Sequence, residues 1–229
     1  MTIQRIDAGW AAFFGLSPPA FLLPGLQVVA HHQLGDYHGL WLFRHHASLC
    51  LSAPPDSVED IQAVVRPHTV DSLFSEGSIR GLWRPRIEQI VGPAYQGYVE
   101  WPQFRSVHHP GVRALARSEQ AALQQLADAC GVDAWEHAGI ALDEPHVFGC
   151  FVDDHVVAVA RYRPAWGETA HIGVVTHPAY RGRGYGRAVL SAATANGLEA
   201  GFTVLYQTLL ANLTLSPTSD IDTRRRAAR

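Results

Sequence analysis

Residues 170–187 read AHIGVVTHPAYRGRGYGR, and the interpretation of the whole chain turns on them. Ala170–Thr176 is apolar and β-branched, which predicts a strand. His177-Pro178-Ala179-Tyr180 makes a turn, and Arg181–Gly186 (RGRGYG) makes a glycine-rich bend. A helix is predicted from about Tyr185 to Glu199, with Val189, Leu190 and Ala193 on one face and Gly201 ending it. Such a bend lets successive backbone N–H groups point into one small space, and the helix N-terminus behind it adds partial positive charge. The result is an anion cradle, to which Arg181, Arg183 and Arg187 add forked donors. Read on its glycines alone, the bend is also compatible with an ordinary strand-to-helix turn.

Two phosphate-binding motifs are excluded. A P-loop needs a lysine, and all 18 basic residues of the chain are arginine. The dinucleotide fingerprint G-x-G-x-x-G/A fails because its third position falls on Arg187 or Val189, where a large side chain blocks close helix–strand packing. The pattern Arg181-x-x-Gly184-x-Gly186, after a strand and an x-Pro turn, resembles the pyrophosphate loop Q/R-x-x-G-x-G/A of the GNAT acetyltransferase superfamily. The resemblance covers about residues 145–212, roughly a third of the chain.

That resemblance implies an α/β (α+β) fold, with a mixed central sheet flanked by helices, and acetyl-coenzyme A as the donor. It implies that the main chain of Val174, Val175 and Thr176 lies along the pantetheine arm. Arg181 and the amides of Gly182, Arg183, Gly184, Tyr185, Gly186 and Arg187 would hold the pyrophosphate. The strand at Phe202–Thr208 would splay from the central strand to open a slot, and Asn212 would contact the cofactor. The reaction implied is direct acetyl transfer to a primary amine of a small molecule or peptide. A family base on the central strand maps to the neighbourhood of Glu168 and His171, although Glu168 also reads as a solvated turn residue and His171 as a structural one. Glu136, His137, Glu144 and His146 are further candidates near an acceptor cleft. The family's usual tyrosine acid has no counterpart, because Tyr206 lies inside a strand and Tyr185 reads as a packing or cofactor-wall residue.

Working outward, Val147–Val152 and Val156–Tyr162 form a predicted hairpin around Asp153-Asp154-His155, and Ser118–Ala129 a predicted helix. Residues 102–112, with Pro102, Pro110 and Gly111, read as a linker. The division expected is an N-terminal α/β lobe over 1–105, either a degenerate copy of the same fold or an accessory lobe, and an acetyl-CoA-binding domain over 106–229. In the first lobe, 26–30, 39–43 and 47–52 read as strands and Tyr95–Trp101 as a weak one. Ser57-Val58-Glu59-Asp60 approximates a capping box for the helix that follows. Trp41, Trp83 and Trp101 read as core or lobe-interface residues.

The chain has 229 residues, 47% apolar and 17% charged, which makes it globular. A net charge of −3 excludes a generally basic nucleic-acid binder, and the Arg224–Arg226 run reads as a solvated terminus. Cys50, Cys130 and Cys150 form no C-x-x-C pair, which fits a reducing cytoplasm. The 13 histidines show no zinc spacing, so no metal is expected. The apolar stretch Trp10–Ala30 is broken by Ser17 and three prolines, so neither a signal peptide nor a membrane partner is expected. Past Asn212 the chain shows no amphipathic helix and no terminal strand pair, which makes the C-terminus atypical, truncated or altered near residue 213. The strand at 202–208 then needs its open edge covered, by the N-terminal lobe or by a second chain in a homodimer. A competing functional class is a non-catalytic acyl-CoA-binding module.

Overall fold

The computed structural model describes residues 2–73, 75–83, 89–141 and 145–209. The chain divides into two compact units between Val91 and Gly92. The first holds helices α1 (Thr2–Phe13) and α2 (Pro18–Phe21), strands β1 (Gly25–Ala30), β2 (Trp41–His45) and β3 (Ser48–Ala53), and helices α3 (Val58–Val65), α4 (Val70–Leu73) and α5 (Glu76–Trp83). Its sheet has the order β1-β3-β2, with β3 parallel to β1 and antiparallel to β2.

All six residues of β3 are buried, because both of its faces are covered. Leu49, Leu51 and Ala53 pack against Ile61, Val65 and Leu73 from α3 and α4. The opposite face belongs to the aromatic group of Trp10, Phe13, Phe14, Phe21 and Phe43, whose rings stack or meet edge-on at 4.1–6.3 Å. The apolar stretch from Trp10 thus forms an aromatic core element. Burial pushes the Cys50 thiol up to about 11, which leaves it unreactive at neutral pH. Ser57 does not cap α3: it closes a 3-10 turn at Pro55–Ser57, and its backbone is already close to helical (φ −109°, ψ −5°). A capping hydroxyl needs extended backbone at that position.

The second unit holds β4 (Ala94–Val99), β5 (Val112–Ala114), α6 (Gln120–Cys130), α7 (Val132–Ala138), β6 (Val147–Val152), β7 (His155–Trp166), β8 (Thr169–Thr176), α8 (Tyr185–Glu199) and β9 (Thr203–Leu209). Its sheet has the order β4-β9-β8-β7-β6-β5, and only the β8–β9 pair is parallel. This is the mixed α/β sheet flanked by helices that the resemblance implies. In the β6–β7 hairpin, Asp153 (φ 47°) and Asp154 (φ 62°) both sit in the left-handed region, as a two-residue turn of the right twist requires.

One face of the sheet is covered by α8. Ala188, Val189, Ala193 and Leu198 on that helix are buried against Ala158, Ala160, Tyr162, Ala170 and Ile172. Each fully buried branched aliphatic there contributes about 1.5–3 kcal/mol. The other face is covered by α6 and α7, where Leu123, Leu126, Ala138 and Ile140 pack on Val159 and Val175. Helix α7, bounded by Gly131 and Gly139 at positive φ, falls in a stretch for which no element was predicted.

The boundary lies ahead of the one expected at 105/106, and the reason is β4. Its six residues pair antiparallel with β9, from Ala94↔Leu209 to Val99↔Val204. The edge of β9 away from β8 is therefore covered by residues 94–99 of the same chain and the same unit. The expected linker at 102–112 is also ordered against this unit, where Val107 N–H donates to Ser191 Oγ (2.8 Å) and Val112 begins β5. Trp101, expected in a core or at a lobe interface, is 50% exposed.

Candidate functional site

The sheet opens beside β8. Pairing with β9 runs from Thr169↔Thr203 to Ile172↔Tyr206 and then stops, while both strands continue, β8 to Thr176 and β9 to Leu209. From Gly173 onward, alternate residues of β8 turn their N–H and C=O groups into the gap. On its other edge β8 stays paired with β7 through Ala160↔Val174, Val159↔Val175 and Ala158↔Thr176. Val174, Val175 and Thr176 thus lie along the edge of β8 that β9 leaves unpaired, one side of a candidate slot.

The slot leads to the glycine-rich bend. Pro178–Tyr180 is a 3-10 turn whose start is fixed by His177, with Nδ1 accepting from Ala179 N–H (3.1 Å) and N–H donating to Val157 O (2.9 Å). Arg181 folds back, and its Nε donates to Thr176 O (3.2 Å). Gly182 (φ 77°) and Gly184 (φ 86°) hold left-handed backbone, and a Cβ on either would enter open space. The N–H groups of Gly182, Arg183, Gly184, Tyr185 and Gly186 have no acceptor among the described residues, and the first helical bond is Ala188 N–H to Gly184 O. Gly186 lacks a side chain for a different reason, since a Cβ there would lie 2.6 Å from Thr176 Oγ1. These features suit an extended anion such as a diphosphate, because bare amides and a helix N-terminus converge on a space that only glycine leaves clear.

Aromatic rings line the bend. Tyr180 meets His177 at 5.3 Å and Tyr185 at 6.3 Å, and the Arg183 guanidinium lies 5.3 Å from the Tyr180 ring centre. His109, from the supposed linker, packs edge-on to Tyr185 at 5.4 Å, and its Nδ1 accepts from Gly111 N–H (3.1 Å). Sequence reading missed His109, because nothing local to residues 102–112 indicates where that segment docks.

The candidate bases part company. Glu168 is exposed in the tight turn between β7 and β8, where its carbonyl accepts from Thr203 N–H (2.8 Å). It stands five residues before Gly173, about 17 Å along an extended strand, at the closed end of the pairing. His171 is half-buried in mid-strand, opposite Arg163 on β7 and Leu205 on β9, one residue before the pairing with β9 ends. Burial, then the Arg163 and Arg161 guanidiniums, holds its imidazole below the ordinary histidine range, so it is neutral at pH 7. Glu136 and His137 are exposed on α7, and the His137 ring is tied to Asp133 O. His146 stacks on Tyr162 on the α8 side of the sheet, away from His171. Tyr206 is the last β9 residue to pair with β8. Glu144 and Asn212 lie outside the described residues. Among the described residues, no group of three His, Cys, Asp or Glu side chains stands ready to hold a metal ion. Nor is any helix among them long and apolar enough to cross a membrane.

Gly173 is a point of close backbone packing. A Cβ there would lie 1.8 Å from Ala138 O, so the end of α7 rests directly on the β8 backbone. Gly173→Ala is expected to cost about 1–3 kcal/mol or more, because one of two backbones must move. Urea unfolding would show this as a lowered midpoint, and an unchanged midpoint would contradict the contact.

A family model described as the acetyltransferase (GNAT) family matches residues 112–214. Among solved structures, a GNAT-family protein of Novosphingobium aromaticivorans is 24% identical, over 54% of this chain and 55% of its own, with a TM-score of 0.43. A GNAT-family acetyltransferase of Colwellia psychrerythraea is 18% identical over 53% and 48%, with a TM-score of 0.44. One from Brucella melitensis, solved with acetyl-CoA, is 23% identical over 42% and 73%, with a TM-score of 0.33. The chain spans about half the length of the first two. No curated protein matches. The stretch that matches the acetyltransferase (GNAT) family model, residues 112–214, begins at β5 and takes in β8, the glycine-rich bend and β9.

Proposed function

We propose that the protein is an N-acetyltransferase that moves an acetyl group from acetyl-CoA to a primary amine of a small molecule or peptide. The observation that carries this is the combination of a strand gap after Ile172 with a bend whose amides, Gly182 to Gly186, have no acceptor among the described residues. The amides of the bend, with Arg181, Arg183 and Arg187, would hold the diphosphate. The main chain of Val174, Val175 and Thr176, unpaired with β9, would run along the pantetheine arm, which would stand where a neighbouring strand would. Asn212 is carried over from the family pattern as a further contact.

When bound, acetyl-CoA supplies an activated thioester carbonyl. The chain's part is to fix that carbonyl and to deliver a neutral amine. N–H groups of β9 beyond Tyr206 face the gap and are suited to polarise a carbonyl. His171, neutral at physiological pH, takes a proton from the acceptor ammonium, directly or through water. Glu168 is too far along the strand to share that role.

The test separates transfer from binding alone. CoA at about 100 times its Kd is expected to raise Tm by about 5–10 °C. Acetyl-CoA with a broad amine panel is expected to release free thiol. A Tm rise with no thiol from any amine would make the protein an acyl-CoA-binding module, and no Tm rise would remove both readings.

A further inference from the structure

The face of the sheet beside the slot has an unusual charge distribution. Residues opposite each other on paired strands share a face, with Cβ atoms about 4.5–5.5 Å apart. By this rule Arg161 (opposite Gly173) and Arg163 (opposite His171) lie on the α7 side of β7, next to the proposed base. Across the gap the same face continues through Leu205 and Gln207 of β9 to Tyr98 and Gln96 of β4, where the Tyr98 hydroxyl donates to Gln96 Oε1 (3.0 Å). None of β4, β7, β8 and β9 contains an aspartate or glutamate. The floor is therefore cationic on one arm and neutral on the other. Arg161 is 3% exposed, under the end of α7, whereas Arg163 is exposed and has no ion-pair or hydrogen-bond partner among the described residues. An exposed guanidinium next to a base is suited to a ligand oxyanion, which it can grip with two parallel N–H groups. A polyamine would meet the exposed Arg163 guanidinium and no carboxylate on these strands.

We propose that the acceptor carries an oxyanion close to its amine and that Arg163 binds that oxyanion while the amine faces His171. This assignment deepens the transferase reading and rests on it. A carboxylate and a phosphate monoester share the required chemistry. The acceptors to be compared are the twenty amino acids, the same amino acids as carboxamides, O-phosphoethanolamine and ethanolamine, with thiol release as the readout.

At least one anionic acceptor is expected to exceed its uncharged counterpart by about 10–100-fold in kcat/KM, the range of one charge-assisted contact. A preference within the amino acids identifies a carboxylate, and one confined to O-phosphoethanolamine identifies a phosphate. In Arg163→Gln the preference is expected to shrink to about 3-fold or less, mainly through KM, and Arg163→Lys is expected to restore part of it. CoA affinity, measured by titration, is expected to stay within about 2-fold in both variants. Equal rates for anionic and uncharged acceptors, or a preference that survives Arg163→Gln, would overturn the assignment while leaving the transferase intact. Absence of thiol release from every acceptor, with CoA still bound, would remove the transferase reading and this assignment with it.

Discussion

Gly184→Val is expected to weaken CoA binding by roughly 100-fold or more while the protein still folds. Two effects combine. Gly184 holds φ 86° as the residue just before α8, and left-handed backbone costs an ordinary residue about 1–2 kcal/mol, more when it is β-branched. Relief of that strain would turn the peptide planes that aim the amides of Gly182 to Gly186 into one space. In addition, the new side chain would occupy volume that is open now, since no atom lies within 4 Å of a Cβ placed there. Loss of two amide contacts to an anion, each about 1.5–3 kcal/mol, accounts for the size. Calorimetric titration with CoA would measure the effect, with circular dichroism as the folding control. Gly184→Ala, which adds less volume at the same φ, is expected to fall between. A folded Gly184→Val protein with wild-type affinity would show that the bend is not the anion site.

His171→Ala is expected to lower kcat by about 10²–10⁴-fold, the usual contribution of a positioned base, with CoA affinity within about 2-fold. The pH profile adds an independent check. Burial and the two guanidiniums hold the folded pKa below 6.5. The imidazole is active when neutral, so activity is retained at and above pH 6.5 and falls as pH drops through the lowered pKa. The acid limb of kcat/KM is therefore expected below pH 6.5. Arg163→Gln removes one of the charges that depress the pKa, so in that variant the limb is expected to move to higher pH. A limb at or above the ordinary histidine value in the wild type, or no limb at all, would remove His171 from the reaction.

The parts of this protein that could be read in one dimension are those whose cause is local. The bend from Arg181 to Gly186 declares itself because glycine spacing, an x-Pro turn and a following helix are all consequences of backbone conformation over a dozen residues. The hairpin at Asp153-Asp154 and α8 from Tyr185 to Glu199 are of the same kind, and the helix boundaries agree to the residue. Residues 94–99 are a weak strand whose partner, β9, lies over a hundred positions later, and no local pattern ties the two together. The docking of His109 on Tyr185 and the pressure of Ala138 on Gly173 are likewise contacts between distant stretches.

The candidate base shows the same division. Glu168 and His171 stand three positions apart and are equally plausible as titratable groups near a central strand. Choosing between them required knowing where β9 leaves β8, because that point, and not proximity in sequence, locates the gap. The alternation of Arg161 and Arg163 was visible along the chain, but which face they share, and with what, depends on strand register. Backbone preference and motif spacing thus pointed to an anion-binding bend and to the family whose model matches residues 112–214. The covered edge, the position of the gap and the cationic floor beside it came from long-range pairing, because a strand's neighbours are selected by the packing of the entire sheet and not by its own residues.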